Sequence, residues 1–267
     1  MNEGLPLPWS QLPQAAARAV RGVLTDIDDT LTTAGAITPE ALDALVMLRA
    51  AGVPVIAVTG RPTGWSESFA MDWPLDAIVA ENGAVALFRD GDLLRVEYAQ
   101  TDAVRALNTR RLRDVAARVL REVPGATLAQ DSAGRVTDIA VDHAEFAHLA
   151  AAQIEQVLHV MHDEGMTATV SSIHINGWFG AHDKRSGARW IVQRLLARDI
   201  DAERAQWVYV GDSTNDQQMF GHFPLSVGVA NLLHFRSVLS VWPAYITEGE
   251  RGSGFAEVAR TLMAARA

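Results

Sequence analysis

Short apolar runs, each stopped by a polar cluster, organise the first hundred residues. Residues 23–27 run Val-Leu-Thr-Asp-Ile into a group of acids; 53–58 end at Thr59-Gly60-Arg61-Pro62; 76–80 end at Glu81-Asn82-Gly83. Such short runs between turn formers predict buried strands. Between the first two, Thr38-Pro39-Glu40 offers an N-cap, a first-turn proline and a first-turn acid. Leu42, Leu45, Val46 and Arg49 follow at amphipathic spacing, and Gly52 stops the helix. Strand–helix–strand alternation of this kind predicts right-handed crossovers and a parallel sheet. Residues 1–18, rich in Pro and Ala, read as an arm.

The rhythm then changes. Runs at 84–88 and 93–98 flank Arg89-Asp90-Gly91-Asp92, a hairpin signal. An Arg-rich helical pattern covers 102–122, followed by strand-like runs at 126–130 and 135–142, a helix at about 145–164, and strands near 167–172 and 173–179. Helix–strand–strand, twice over, predicts a small antiparallel sheet with helices on one face. From Lys184 the first pattern returns: a helix to about Arg198, a strand at 207–210 entering Gly211-Asp212-Ser213-Thr214-Asn215-Asp216, strands at 225–229 and 244–247, and a last helix. The fold class expected is α/β: a Rossmann-like three-layer parallel-sheet core formed by 1–98 and 180–267, with an α+β domain inserted at 99–179.

Composition narrows the function classes. With 49% hydrophobic residues in 267, the chain can bury a sizeable core. The absence of cysteine excludes disulfides, thiolate metal sites and cysteine nucleophiles. A net charge of −9 and a pI near 5.3 argue against a nucleic-acid partner. No stretch approaches the roughly 18 apolar residues of a membrane span, and the N-terminus lacks a signal-peptide pattern, so a cytoplasmic protein is expected.

In open parallel sheets, ligands bind outside the carboxyl ends of the strands. Four predicted strand ends carry polar clusters, at 26–30, 59–61, 81–82 and 212–216, and a parallel sheet brings them to one edge. Asp26 and Asp28, two apart, share one side of an extended chain. With Asp212 and Asp216 they place four carboxylates at one locus, which calls for a cation; Mg²⁺ suits oxygen ligands and binds phosphate alongside one or two carboxylates. Thr59 and Lys184 are placed to hold phosphate oxygens. Any one of these acids alone reads as a solvated loop residue; the set does not. A calcium-loop reading of the first cluster fails, since Leu31 and Ile37 stand where Gly and Glu are required. Beyond the cluster, Ser172, His174 and Asn176 alternate along a strand of the insert leading back to the core, which suits a sugar hydroxyl or an inter-strand polar ladder. Arg135 and Asp138 on the neighbouring strand, and Arg61 and Asn82 at core strand ends, are further candidate substrate contacts.

The order and wording of the clusters resemble a known family. DIDDT at 26–30, TGR at 59–61, the lysine of DKRSG at 183–187 and GDSTND at 211–216 are similar to the four motifs of the haloacid dehalogenase-like superfamily. The insertion resembles its type C2 caps, and ENG at 81–83 with GSGFAEV at 252–258 resembles the IIB group, which includes Cof-type sugar phosphatases, sucrose phosphatase and mannosyl-3-phosphoglycerate phosphatase. The resemblance implies Asp26 as nucleophile and metal ligand, and Asp28 as acid–base and, through its carbonyl, metal ligand. It implies Asp212 and Asp216 as further Mg²⁺ ligands, and Thr59, Gly60, Lys184 and Asn215 around the phosphate. Asp29 departs from the pattern, since many relatives carry Gly there. The implied substrate is a small phosphorylated metabolite, a sugar phosphate, hydrolysed through an aspartyl-phosphate. A sugar-phosphate mutase and a catalytically idle binding protein on the same fold are the alternatives.

Overall fold

The computed structural model describes residues 5–266. Gly22–Thr25, buried throughout, is the middle strand of a nine-stranded sheet. Trp207–Gly211 lies parallel to it on one side and Val55–Val58 on the other. Ala77–Ala80 continues the second side in parallel, and Leu225–Gly228, Tyr245–Ile246 and Leu7–Pro8 continue the first. Only the hairpin Val85–Asp90 and Leu93–Tyr98 is antiparallel, and it forms the far edge. The chain steps outward one way from Gly22–Thr25 before the insertion and the other way after it. The crevice between the ends of Gly22–Thr25 and Trp207–Gly211 is therefore the switch point at which such sheets bind ligands.

Successive side chains of each strand face opposite layers. Val23, Val55 and Ile78 pack with Leu45, Leu48 and Phe255, from the helices Pro39–Ala50 and Arg251–Ala264. Their neighbours Leu24, Ile56 and Val79 pack with Ile191 and Phe220, from Lys184–Leu196 and Gln217–His222 on the other face. The result is the three-layer, mostly parallel α/β core expected. A second, antiparallel sheet is ordered Thr167–Val170, His174–Trp178, Asp138–Asp142, Thr127–Leu128. The helices Asp102–Glu122 and Ala151–Asp163 cover it with a core of their own, built on Leu112, Val119, Val157, Met161 and Ile175. Among the described residues no helix is long and apolar enough to cross a membrane.

Several local expectations change. Residues 1–4 of the N-terminal arm lie outside the described residues. The rest of it is built into the core: Leu7–Pro8 adds an edge strand, Trp9 is fully buried against Tyr245, and Gln14–Ala19 is helical. The helix Thr63–Asp72, sequence TGWSESFAMD, was not foreseen, because it has few strong helix formers. The helix expected from 145 begins at Ala151, because the Asp142 carboxylate accepts from the amides of Ala144, Glu145, Phe146 and Ala147 and holds a loop there. The strand expected over 135–142 is confined to Asp138–Asp142, since the amides of Val136 and Thr137 turn to the Glu81 carboxylate instead of a neighbouring strand. The run at 126–130 contributes only Thr127–Leu128 as strand.

One close approach fixes the helix that carries Lys184. A Cβ on Gly187 would lie 2.5 Å from the Gly83 Cα and 2.9 Å from the Gly83 carbonyl oxygen. Both are backbone atoms that cannot rotate away. Gly187→Ala is expected to cost about 1–3 kcal/mol by overpacking, read as a lower urea midpoint. An unchanged midpoint would mean that the helix can stand off from the turn at no cost.

Candidate active site

The strand Gly22–Thr25 delivers Asp26 to the switch point, where the Asp26 amide still donates to Val210 O at 2.8 Å. Asp26 is 3% exposed. Lys184, the first residue of its helix, reaches the same point; its Nζ donates to Asp26 Oδ1 at 2.9 Å and to Asp216 Oδ1 at 2.8 Å. Asp216 is held on every side. Its Oδ2 accepts from the amides of Asp212 (2.9 Å) and Ser213 (3.1 Å), and its Oδ1 also accepts from the Tyr209 hydroxyl. Asp212, fully buried, receives one long bond, 3.4 Å from Asn231 Nδ2 to Oδ2.

Asp26, Asp212 and Asp216 each bring a carboxylate oxygen within 4.8 Å of the others'. Asp212 Oδ1 is buried with no hydrogen-bond partner among the described residues. A buried acceptor left unpaired beside two further carboxylates is the arrangement a hard divalent cation completes. The electrostatics agree. Burial, then the charges of Asp216 and Asp26, push the Asp212 carboxyl well above its usual range. Burial raises Asp26 to about 7, against the pull of Lys184. Burial would lower the Lys184 ammonium, but Asp216 and Asp26 outweigh it and hold it above its usual value.

Asp28 does not join this group. Its carboxylate points toward the inserted module and takes a two-pronged bond from Arg61, with Nε at 3.0 and 2.9 Å and Nη2 at 2.9 Å. Arg61, 6% exposed, also donates to Asp131 at 3.2 Å and to Glu145 at 2.9 Å. Burial disfavours the guanidinium, but the Asp28 and Glu145 carboxylates keep it charged. Arg135 is likewise enclosed, donating to Asp138 (2.9 Å), Asp131 (3.1 Å) and Gly60 O (3.0 Å).

The remaining expected residues line the space above Asp26. Thr59, 1% exposed, accepts from the Arg61 amide at 3.0 Å. The Gly60 carbonyl accepts from Arg135 and from Asn176, and a Cβ on Gly60 would stand 3.1 Å from Asn176 Oδ1 and 3.4 Å from Asn82 Nδ2. Asn82 is buried, and its Nδ2 has no acceptor among the described residues. Asn215 turns its Oδ1 to the Ser213 hydroxyl at 2.9 Å. His174 Nε2 lies 2.9 Å from Glu145 Oε2; burial, then the Arg135 charge, lowers the imidazole pKa and favours its neutral form. Asp26, Asp28, Thr59, Gly60, Arg61, His174, Asn176 and Asn215 together enclose about 10 Å³, room for about one water.

Sequence reasoning missed four contributors. Asn231 follows the strand Leu225–Gly228, and strand-end logic would have found it; it links Asp212, Asp29 O (3.0 Å) and the Arg251 amide (2.8 Å). Tyr209 sits mid-strand, where nothing in the pattern marks it. Asp131, in the short 3-10 helix Gln130–Gly134, and Glu145, in a loop, belong to the insertion and have no motif around them. Glu81, noted only as part of a strand end, is fully buried at φ +49 and accepts from both the amide and the hydroxyl of Thr63 and of Thr137.

Comparison with known proteins finds likeness in sequence and in fold. The sequence model of a family described as haloacid dehalogenase-like hydrolase matches residues 23–115. A phosphoglycolate phosphatase of Methanothrix thermoacetophila is 29% identical over 248 residues, 92% of this chain and 98% of that protein. A Thermoplasma acidophilum structure superposes with a TM-score of 0.71 at 14% identity, covering 91% of this chain and 98% of that one. The sucrose-phosphatase of Synechocystis sp. PCC6803, solved with sucrose and phosphate, gives 0.65 at 17%, covering 92% and 98%. The C-terminal domain of trehalose-6-phosphate phosphatase from C. albicans gives 0.66 at 14%, covering 99% of both chains.

Because burial holds the Asp212 and Asp26 carboxyls toward their protonated forms, a divalent ion has to displace protons to bind, and its affinity should drop as the pH is lowered. Magnesium is expected to raise the melting temperature more at pH 8 than at pH 5.5, and Asp212→Asn to remove most of the increase. Melting curves indifferent to the ion at both pH values would count against a cation site.

Proposed function

We propose that this chain, which belongs to the haloacid dehalogenase-like hydrolases, is a magnesium-dependent phosphatase that forms an aspartyl-phosphate on Asp26. Its enzyme class is phosphoric monoester hydrolase, and its substrates are small phosphorylated metabolites, with a sugar phosphate as the favoured case. One observation carries the reading: a buried carboxylate at the switch point, gripped by a buried lysine, stands beside an unpaired oxygen of Asp212. The reading is supported by a relative named for phosphoglycolate, a small acid, and by a fold shared with phosphatases named for sucrose and trehalose 6-phosphate.

Asp26 attacks phosphorus in line, a recognised mode for carboxylate nucleophiles. The P–O bond to the leaving group breaks as the Asp26–phosphorus bond forms. Asp26 and Asp212, with Asp216 fixed behind them, would hold Mg²⁺, which supplies positive charge against the repulsion between an anionic nucleophile and an anionic ester. Lys184 and Thr59 face oxygens of the transferring phosphoryl group, where positioning and electrostatics supply most of the catalysis. Asp28, in the lining of the same cavity, gives a proton to the departing oxygen. It then takes one from the water that cleaves the Asp26–phosphorus bond and releases inorganic phosphate. Residues 99–179 act as a cap over a core made of 1–98 and 180–267. A cavity of about 10 Å³ does not admit a phosphoryl group, so the loops around Glu145 and Ser171 have to lift for substrate to enter and settle again for chemistry.

Asp26→Asn is expected to abolish phosphate release; retained activity in a clean preparation would refute the nucleophile assignment. Asp28→Asn should slow hydrolysis of an alkyl phosphate by roughly 10²–10⁴-fold. It should slow p-nitrophenyl phosphate, whose leaving group needs no proton, much less in the first step. Equal losses on both esters would remove leaving-group protonation as the main role of Asp28.

A further inference from the structure

A second cavity, of about 370 Å³, opens beside the small one and shares Asp28, Arg61 and Ile173 with it. Since Asp28 stands in both linings, the large cavity is where the group leaving phosphorus would lie. Its walls include the small-residue turn Ala34-Gly35 of the core, the loop around Glu145 of the insertion, and Arg251.

The two arginines of this lining are employed differently. Arg61, 6% exposed, spends its guanidinium on Asp28, Asp131 and Glu145 at 2.9 to 3.2 Å. The Arg251 side chain is 38% exposed, and its Nε, though buried, has no hydrogen-bond partner among the described residues. Asp29 Oδ1 lies 3.0 Å from that Nε but out of line for a bond. The guanidinium is therefore held near an opposite charge while its Nε donor remains unspent. The other acids of the lining are engaged: Asp28 and Glu145 by Arg61, and Glu145 again by His174 Nε2 at 2.9 Å. A guanidinium can serve several carboxylates at fixed angles, as Arg61 does, so Asp29 does not exhaust Arg251.

Arg251 is also placed at a cost. It opens the last helix at φ +51 and pairs with Asp29 at φ +53, both left-handed positions that favour glycine. Its amide donates to Asn231 Oδ1 at 2.8 Å, and Asn231 Nδ2 reaches Asp29 O at 3.0 Å and Asp212 Oδ2 at 3.4 Å. One asparagine thus ties the arginine to a carboxylate of the cation site. Strain of this kind gathers at ligand clamps and active sites.

We propose that Arg251 receives a carboxylate of the leaving group, and that the preferred esters are phosphorylated hydroxy acids, sugar acids among them. A carboxylate offers two oxygens to the fork of a guanidinium, a charge-assisted pairing that a hydroxyl cannot match. The inference rests on the phosphatase reading above and narrows its substrates by the charge at the far end of the leaving group. Arg251 is paired with Asp29, whereas Asp26 and Asp28 are held by Lys184 and Arg61, so its effect falls on which ester is bound.

The test pairs esters of matched length in magnesium buffer: 3-phosphoglycerate with glycerol 3-phosphate, and 2-phosphoglycolate with 2-hydroxyethyl phosphate. The native enzyme is expected to favour the acid of each pair in kcat/KM by about tenfold or more, the usual worth of a hydrogen bond to a charged group. Arg251→Gln should bring that ratio toward one, chiefly through the KM of the acids. Asp29→Asn, which keeps the arginine and removes its competitor, should hold or raise the ratio. A merely structural pair would be broken equally from either side, so ratios that fall together in both variants overturn the proposal. So does a native enzyme that favours the uncharged esters or prefers neither. Where Arg251→Gln does not fold, Arg251→Lys takes its place; it keeps the charge, loses the fork, and should lower the ratio several-fold. A ratio unmoved in the variant used also overturns the proposal. The same four esters are titrated by calorimetry into Asp26→Asn, which separates this inference from the reading beneath it. No phosphate release from any ester, p-nitrophenyl phosphate included, would sink the phosphatase reading alone. Tighter binding of the acids would still support Arg251 as their receptor, and equal or weaker binding would still overturn it.

Discussion

Burying several carboxylates side by side is costly unless each has a partner, and the shared ammonium of Lys184 is what makes it tolerable here. It bridges Asp26 and Asp216, two acids that arrive from strands on either side of the switch point, at 2.9 and 2.8 Å. Breaking such a pair by removing one partner leaves an uncompensated buried charge, commonly worth about 3–5 kcal/mol. Much of the surrounding architecture serves that bridge. Two backbone amides and the Tyr209 hydroxyl fix Asp216, and the contact of Gly187 with Gly83 seats the helix whose first residue is the lysine. One oxygen of Asp212 is left over, which turns an electrostatic liability into a place for a cation.

The carboxylates divide into two groups with different surroundings. Asp26, Asp212 and Asp216 sit deep at the sheet edge with one ammonium. Asp28, Asp131, Asp138 and Glu145 line the seam with the inserted module and are met by two guanidiniums, Arg61 and Arg135. A planar guanidinium can hold several carboxylates at fixed angles, which a lysine cannot do. Arg61 uses this to join a core acid, Asp28, to two acids of the insertion. The ammonium organises the position where phosphorus would lie, and the guanidiniums organise what stands over it.

The core was legible because its logic is local and periodic. Apolar runs ending in Asp26, Thr59, Glu81 and Asp212 specify parallel strands, and parallel strands bring their ends together whatever the sequence distance between them. The insertion was legible in outline, as two helix–strand–strand units, but not in detail. Its boundaries are set by side chains that capture backbone amides over a distance: Asp142 holds a loop where a helix was expected, and Glu81, more than fifty positions earlier, draws off amides that read as strand. Neither event leaves a period in the sequence. Asp28 shows the same limit at the site itself. Two-residue spacing put its carboxylate with that of Asp26, but the turn after the strand, with Asp29 at φ +53, sends it toward Arg61.

Glu81 has a mechanical consequence. Its carboxylate ties the start of the core helix Thr63–Asp72 to the Val136-Thr137 stretch of the insertion, and close by the Gly64 and Gly134 backbones meet without intervening side chains. That flank of the seam is stitched by main-chain atoms to a buried anion. The opposite flank, around Glu145 and Ser171, is held to the core through Arg61 and a bond from Thr214 to Val170 O. A seam tied in this way would turn about the Glu81 flank and part at the Glu145 flank, where side chains alone hold it.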